Sequence, residues 1–422
     1  AARIGGATFT ADTRSLRLEV AAPVRRGRGR PLRPHGRRGT VLARDLLGLR
    51  RQPLLAVGGA RAATVLWELG YGGRVVLLGA AEHPPYERPP LSKGYLLGDD
   101  PFEKALVHPL GWYAEHDVDL RLGVTATGLD TDAHVLTTSA GDLTYERLLL
   151  ATGAEPRVLD VAEEADVPVA YLRTLEDSDR LRAAFGDGKR IAVVGGGWIG
   201  LEVAAAARTA GSDVTVFEME DLPLLRVLGP TVAEVIADLH REHGVDLRLG
   251  TEVTVQDLEG ADLVVAGIGV RPRVDLAHDG GLDVDDGVLV DSRLRTSVPS
   301  VLAVGDIANH AHPRLGRRIR VEHWDTAIKQ GKVAAHNLAG GDEEYEEMPY
   351  FFTDQYDLGM EYVGRASAED EVVVHGSLED REFRAYWLSD GDVVAAMHVN
   401  DWDASDVIKE AVESGELPDE EA

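Results

Sequence analysis

The sequence predicts an α/β protein, with two nucleotide-binding βαβ domains and a small α+β domain at the C-terminus. Three observations predict it. The stretch Ile191–Glu218 reads strand, glycine turn, helix, strand in that order. A similar start lies upstream, in residues 54–78. From Met348 onward, apolar residues alternate with period two, as in an antiparallel sheet.

The first of these is a complete dinucleotide-binding, Rossmann-like fingerprint. The run IAVV suits a buried parallel strand, and Gly195, Gly197 and Gly200 follow it at GxGxxG spacing, with Trp198 and Ile199 between the last two. Gly195 permits the tight turn. Gly197 has no side chain to hold a pyrophosphate off the backbone, and Gly200 lets helix and strand pack closely. The alanine-rich helix expected over 201–210 offers free N–H groups to phosphate. The run Val214–Phe217 then leads to Glu218, an acid placed to bind ribose hydroxyls and repel a 2′-phosphate. That predicts NADH over NADPH.

The second start is less regular. A strand is expected at Leu54–Val57, then Gly58 and Gly59, a helix to about Leu69 and a strand over Arg74–Leu78. The GxGxxG spacing is missing, and Ala80 stands where a ribose-binding acid belongs. In the following loop, PPYERPPLSKGYL, prolines stiffen the backbone around Arg88 and Lys93. A surface loop with solvated charges fits that composition equally. Leu143–Leu150 is expected as a strand running into the small residues Ala151, Thr152 and Gly153, where backbone can approach a ligand.

Beyond the fingerprint, a helix is expected over Val232–His243 and strands at Val245–Leu249, Asp262–Ala266, Val288–Val290 and Val301–Val304. Gly267, Ile268 and Gly269 follow one strand end, and Gly305 and Asp306 another. Strand ends are where open α/β sheets bind ligands, although Asp306 also reads as a helix cap. Glu322, His323 and Trp324 precede a helix expected over Ala327–Leu338, and a charged tail ends the chain. His310 and His312 lie two apart without a third ligand, which reads as a solvated loop, so no metal site is expected.

Composition excludes several classes. Among 422 residues there is no cysteine, which removes disulfides, thiolate metal sites and redox-active cysteine pairs. The net charge of −28 argues against nucleic acid and anionic membranes as partners. No run is apolar and long enough to cross a bilayer, and no signal peptide is evident, so a cytoplasmic location is expected. Residues 1–53 are arginine-rich and without helical or strand period. They read as an atypical disordered extension, or as a stretch foreign to the reading frame, and carry no assigned role.

Taken together, PPYERPPLSKGYL, ATGAEPR, YLRTLED, VVGGGWIGLEVA, GIGVRPR, SVLAVGDIA and VEHWDTAIKQG stand in the order found in ferredoxin-reductase-like FAD/NAD(P)H oxidoreductases. FFTDQYDLGMEYVG resembles the start of that family's C-terminal domain. The resemblance implies an FAD-binding domain over 54–165 and 281–340, an NAD-binding domain over 166–280 and a C-terminal domain over 345–422. It implies that Lys93 lies beside the flavin and pairs with Glu202. Arg173 and Asp306 would contact FAD, Val124 its adenine side, and Trp324 its ring.

The function so implied is transfer of a hydride from NADH to flavin N5, then of single electrons to a small iron–sulfur protein, ferredoxin or rubredoxin. Arg314, Arg317, Arg318 and Arg320 would form a basic dock for it. The alternatives are an NADH-dependent reductase of a quinone, dioxygen or ascorbate radical, or an NAD-binding remnant that is not an enzyme. An oligomer is possible on this reading.

Overall fold

The structure, a computed structural model, describes residues 57–419 together with the backbone of three short strands, Arg3–Ile4, Ala7–Thr8 and Gly39–Ala43. Residues 1–37 and 38–422 form separate compact units. In the first, Arg3–Ile4 pairs antiparallel with Ala7–Thr8. All other described elements belong to the second.

The fingerprint stretch builds the centre of an all-parallel sheet. Its strand Arg190–Val194 has four consecutive buried residues, as a strand covered on both faces must. The order across the sheet is Val169–Ala170, Leu263–Ala266, Arg190–Val194, Asp213–Phe217, Asp246–Arg248. The helix after the turn runs over Trp198–Thr209, three residues earlier than expected, because Gly197 already serves as its N-cap.

A second parallel sheet is ordered Val118–Arg121, Val75–Leu78, Gly39–Ala43, Leu143–Leu150, with Val301–Ala303 beyond. The first half of Leu143–Leu150 also pairs antiparallel with Val135–Thr138. Here the expectation for the second βαβ start is corrected. Residues 54–56 lie outside the described residues, and Val57 opens the helix Val57–Glu68. Gly58 and Gly59 therefore sit in that helix's first turn and not in a loop before it. The strand that fills the sheet is Gly39–Ala43, inside the arginine-rich stretch for which the sequence suggests no role. LLAV is the more apolar of the two runs and TVLA the less, so local pattern favours the former; pairing with Val75–Leu77 and Leu148–Leu150 decides for TVLA.

The glycines of that first turn serve close packing. A Cβ on Gly58 would meet Ala327 O at 2.9 Å, and one on Gly331 would meet Gly58 O at 2.5 Å. The helices Val57–Glu68 and Trp324–Leu338 thus touch backbone to backbone.

The C-terminal domain is a five-stranded antiparallel sheet ordered Tyr350–Gln355, Leu358–Gly364, Asp392–Val399, Glu382–Ser389, Glu371–Ser377. The expected charged tail contains a helix, Ser405–Ser414. Ile408, Ala411 and Val412 give it one apolar edge among acids, and that edge packs on Tyr386 and Val393. The sheet's other face packs Met360, Phe383, Trp387 and Met397 against Val232, Ile236 and Leu239 of the helix Leu225–Glu242. That helix starts before the expected Val232, with a break at Gly229.

His310 and His312 are buried on the strand Ala308–His312, contrary to the solvated loop expected. Burial pushes His310 down to about 4. Among the described residues no helix is long and apolar enough to cross a membrane.

Candidate active site

A cavity of about 390 Å³ opens where the two parallel sheets meet the C-terminal sheet. One wall comes from the proline loop. Pro89–Ser92 is a single 3₁₀ turn, with proline at the positions where a missing N–H costs nothing, and a short helix over Gly94–Leu97 follows. Lys93 stands between the two and points into the cavity wall.

Lys93 meets Glu202, which comes from one turn inside the fingerprint helix. The Lys93 Nζ donates to Glu202 Oε1 at 2.6 Å, and Glu202 is only 3% exposed. Two hydroxyls complete the carboxylate's shell. Ser92 Oγ donates to Oε2, and Thr353 Oγ1 donates to Oε1 at 2.5 Å. Phe352 lies under the ammonium, 5.0 Å from ring centroid to Nζ, where its π face favours a cation.

A second ion pair forms the opposite wall. Arg173 donates to Asp306 Oδ2 at 2.5 Å and to the Ala154 carbonyl at 3.1 Å. Asp306 follows Gly305, whose φ of +75° turns the strand end and whose N–H is held by Gln330. Arg88 lies beside this pair. Burial and the Arg173 cation bring its guanidinium down to about 10. His323 caps the helix Trp324–Leu338 by accepting from Asp325 N, and burial pushes its imidazole down to about 4. It is therefore neutral at pH 7.

The cavity gathers Arg88, Lys93, Arg173, Gly197, Trp198, Ile199, Glu202, Gly267, Gly269, Asp306, Glu322, His323 and Trp324. Other expected residues stand behind it. Gly195 and Gly200 close the turn against Gly267, with a Cβ on Gly195 falling 2.5 Å from Gly267 O. Ile268 packs among Val194 and Phe217. Gly59 faces Leu77 and Ala151, Thr152 donates to Arg273 O at 2.7 Å, and Gly153 takes φ +67°. Glu218 lies at the far end of the fingerprint turn, accepting from Gly196 N at 2.6 Å and Glu220 N at 2.9 Å. Val124 donates its N–H to Gly79 O beside the Ala80 loop.

Ser92, Thr353, Phe351 and Phe352 are not singled out by the sequence. Ser92 and Thr353 lie inside quoted motifs, but nothing local shows that their hydroxyls reach a carboxylate more than 100 positions away in the chain.

The residues fit FAD at this end. Arg88 Nε and Trp324 Nε1, both donors, are buried at the cavity without a partner among the described residues. A planar ring system edged with carbonyl and nitrogen acceptors would offer both a partner, and the cavity's apolar lining suits such a ring. Val57, at the start of its helix, lines the same cavity. The segment 44–56 leading to it lies outside the described residues.

Comparison with known proteins adds to this geometry. Residues 56–331 match the family described as pyridine nucleotide-disulphide oxidoreductase, and residues 350–422 match the one described as reductase C-terminal. The chain is 37% identical over 388 residues to the anthranilate 1,2-dioxygenase system ferredoxin–NAD(+) reductase component of Burkholderia cepacia, covering 87% of this chain and 95% of that protein. It is 36% identical over 365 residues to the putidaredoxin reductase of Pseudomonas putida, covering 82% and 86%. The crystal structure of a covalent putidaredoxin reductase–putidaredoxin complex superposes with TM-score 0.81 at 34% identity, over 90% of this chain and 93% of that one.

Proposed function

This chain belongs to the pyridine nucleotide-disulphide oxidoreductase family, and from that premise we propose that it is an FAD-dependent NADH:ferredoxin oxidoreductase. Bound FAD would supply the redox chemistry, accepting a hydride from reduced nicotinamide and giving up electrons singly, which no side chain of a cysteine-free protein can do. The protein's part is binding, alignment and charge. Lys93 is placed to balance negative charge on a reduced ring, and Glu202 holds Lys93 in position. Arg88 and Trp324 offer donors to the ring, and Arg173 and Asp306 hold the chain that follows it. We take 54–165 and 281–340 as the FAD-binding domain, 166–280 as the NAD-binding domain and 345–422 as the C-terminal one.

The observation that carries this reading is the convergence of the fingerprint helix, the Lys93–Glu202 pair and the two unpartnered donors on one cavity. Its test is direct. The purified protein should be yellow and should reduce a ferredoxin with NADH faster than it reduces a quinone or dioxygen. A protein that stays colourless with excess FAD would end the proposal. Such an enzyme draws on a pool of NADH, and a cytoplasmic location is part of the reading we propose.

NADH is the preferred reductant. The backbone fixes the Glu218 carboxylate where a ribose would lie, Glu220 stands two residues on, and the nearby cation Arg226 is already paired with Glu220. A 2′-phosphate would meet the Glu218 carboxylate, with Arg226 already neutralised by Glu220, a juxtaposition that costs several kcal/mol. The expected kcat/KM ratio of NADH to NADPH is at least about 10². A ratio near one from parallel assays would rule the assignment out.

The docking surface is narrower than the four arginines suggest. Arg318 donates to the carbonyls of Val290 and Asn309, and Arg320 pairs with Asp286 and Glu322. Arg314 and Arg317 are exposed on the hairpin that leads to Glu322–Trp324, and Arg365 of the C-terminal domain lies close enough to feel the Arg317 charge. An acidic iron–sulfur protein would be steered there. The double reversal R314E/R317E should slow ferredoxin reduction about tenfold at low salt and leave NADH oxidation by a small dye unchanged. Equal loss of both activities would place these arginines elsewhere in the mechanism.

A further inference from the structure

A line of hydrogen bonds crosses from the helix Leu225–Glu242, through the C-terminal sheet, to the cavity wall. His240 lies near the end of the helix Leu225–Glu242 and is fully buried. Its Nε2 stands 2.7 Å from Gln355 Oε1. Gln355 Nε2 donates to Thr353 Oγ1 at 3.2 Å, and Thr353 Oγ1 donates to Glu202 Oε1 at 2.5 Å. Thr353 and Gln355 are two apart on the strand Tyr350–Gln355, so both face inward while Asp354 between them is exposed.

The polarity of this line follows from its end. Glu202, paired with the Lys93 ammonium, can only accept. Thr353 must then donate its hydroxyl proton, which leaves its lone pairs for the Gln355 amide. The Gln355 carbonyl is thereby turned to His240, so the imidazole must carry its proton on Nε2. His240 Nδ1 has no partner among the described residues, as the bare nitrogen of that tautomer requires, and burial pushes the ring down to about 4. Each dipole points its positive end toward the carboxylate, and such chains strengthen their members.

We propose that Thr353, Gln355 and His240 are positioning residues that hold the Glu202 carboxylate aimed at Lys93, so that the C-terminal domain fixes the geometry of that pair. The inference rests on the oxidoreductase reading above. A carboxylate this deeply buried needs a donor for each oxygen, because water does not reach it. Lys93 and Ser92 supply two from the proline loop, and Thr353 supplies the third from another domain. Of the charged groups near Glu202, Lys93 faces it from the loop and Asp354 acts through space from the strand's outward side, with neutral His240 acting through Gln355.

The test compares T353V, which keeps the shape and loses the hydroxyl, with T353S, which keeps the hydroxyl. Turnover of NADH with a dye acceptor, separated into kcat and KM, reports the alignment of the pair. T353V should lower kcat about tenfold and leave KM for NADH unchanged, while T353S restores wild-type turnover. D354N should leave kcat as in wild type, which separates the inward hydroxyl from the outward carboxylate. In parallel, ¹⁵N NMR of histidine-labelled protein should show His240 as the neutral Nε2–H tautomer, and Q355L should lose that single tautomer. A T353V variant with wild-type kcat, or His240 protonated at Nδ1, overturns the proposal. Wild-type protein that neither holds flavin nor oxidises NADH would instead overturn the functional reading, and the His240 tautomer would still report on the relay.

Discussion

Replacing Lys93 with methionine is expected to slow flavin reduction by NADH about 10²-fold and to destabilise the protein by about 3 kcal/mol. The rate effect follows from the place of the ammonium. It is fixed by Glu202 on one side and by the Phe352 ring on the other, at the wall of the cavity. A donor already oriented before charge develops contributes the most, because nothing need reorganise during the reaction. The stability effect comes from Glu202. Without Lys93 its buried carboxylate keeps only Ser92 and Thr353, and removing one partner of a buried pair is costly because it strands the other charge.

These two effects are separable. K93M/E202Q removes both charges, and the neutral amide that replaces the carboxylate still accepts from Thr353. The double variant should recover most of the stability, measured by urea unfolding, and none of the rate, measured by stopped-flow bleaching of the flavin band. A single variant K93M that reduces flavin within about twofold of wild type would make Lys93 a structural partner only.

How much of this is legible in the sequence depends on whether a residue acts through its neighbours in the chain. The fingerprint is local. Gly195 and Gly200 each answer to a contact within a few residues or just past an adjoining strand, Gly197 opens the helix as its N-cap, and the unit folds in the order read. The strand Leu143–Leu150 is placed to the residue, because its apolar end, Leu148–Leu150, stops at the small residues Ala151–Gly153 and its start follows the turn residues Gly141 and Asp142. The first strand of the other sheet is misplaced because it is chosen by partners. Gly39–Ala43 sits in an arginine-rich stretch and is recognisable only once Val75–Leu78 and Leu143–Leu150 are seen to need a strand between them. The helix Ser405–Ser414 escapes notice for a similar reason, since its three apolar residues are diluted by acids and mean something only against Tyr386 and Val393. The site divides in the same way. Lys93 and Glu202 come through the resemblance as a pair, while the hydroxyls that complete it, and His240 behind them, come from segments far apart in the chain.

The fingerprint itself offers the sharpest contrast between folding and binding, in the variants G197A and G200A. Gly197 has φ −81° and ψ 177°, which alanine adopts freely, and an added Cβ would meet nothing within 4 Å. The free protein should not register the change, and its unfolding midpoint should stay where it was. If the pyrophosphate of NADH crosses the turn here, the methyl occupies its path. KM for NADH should then rise at least about tenfold, roughly the effect of misplacing a bound group by a fraction of an ångström. Gly200 is the opposite case. A Cβ there would stand 2.0 Å from Gly195 O, and Gly267 blocks retreat, since its own Cβ position is 3.2 Å from Gly200 Cα. The helix Trp198–Thr209 must lift off the strand Arg190–Val194, carrying its N-terminal amides and Glu202 with it. Overpacking of this kind costs about 1–3 kcal/mol, and a shift near 1 Å at the reacting groups lowers rates about 10²-fold. G200A should therefore lose stability and NADH turnover together, with the flavin retained through Arg88, Arg173 and Asp306. Should G197A bind NADH as wild type does, the nicotinamide dinucleotide does not lie over this turn, whatever happens to G200A.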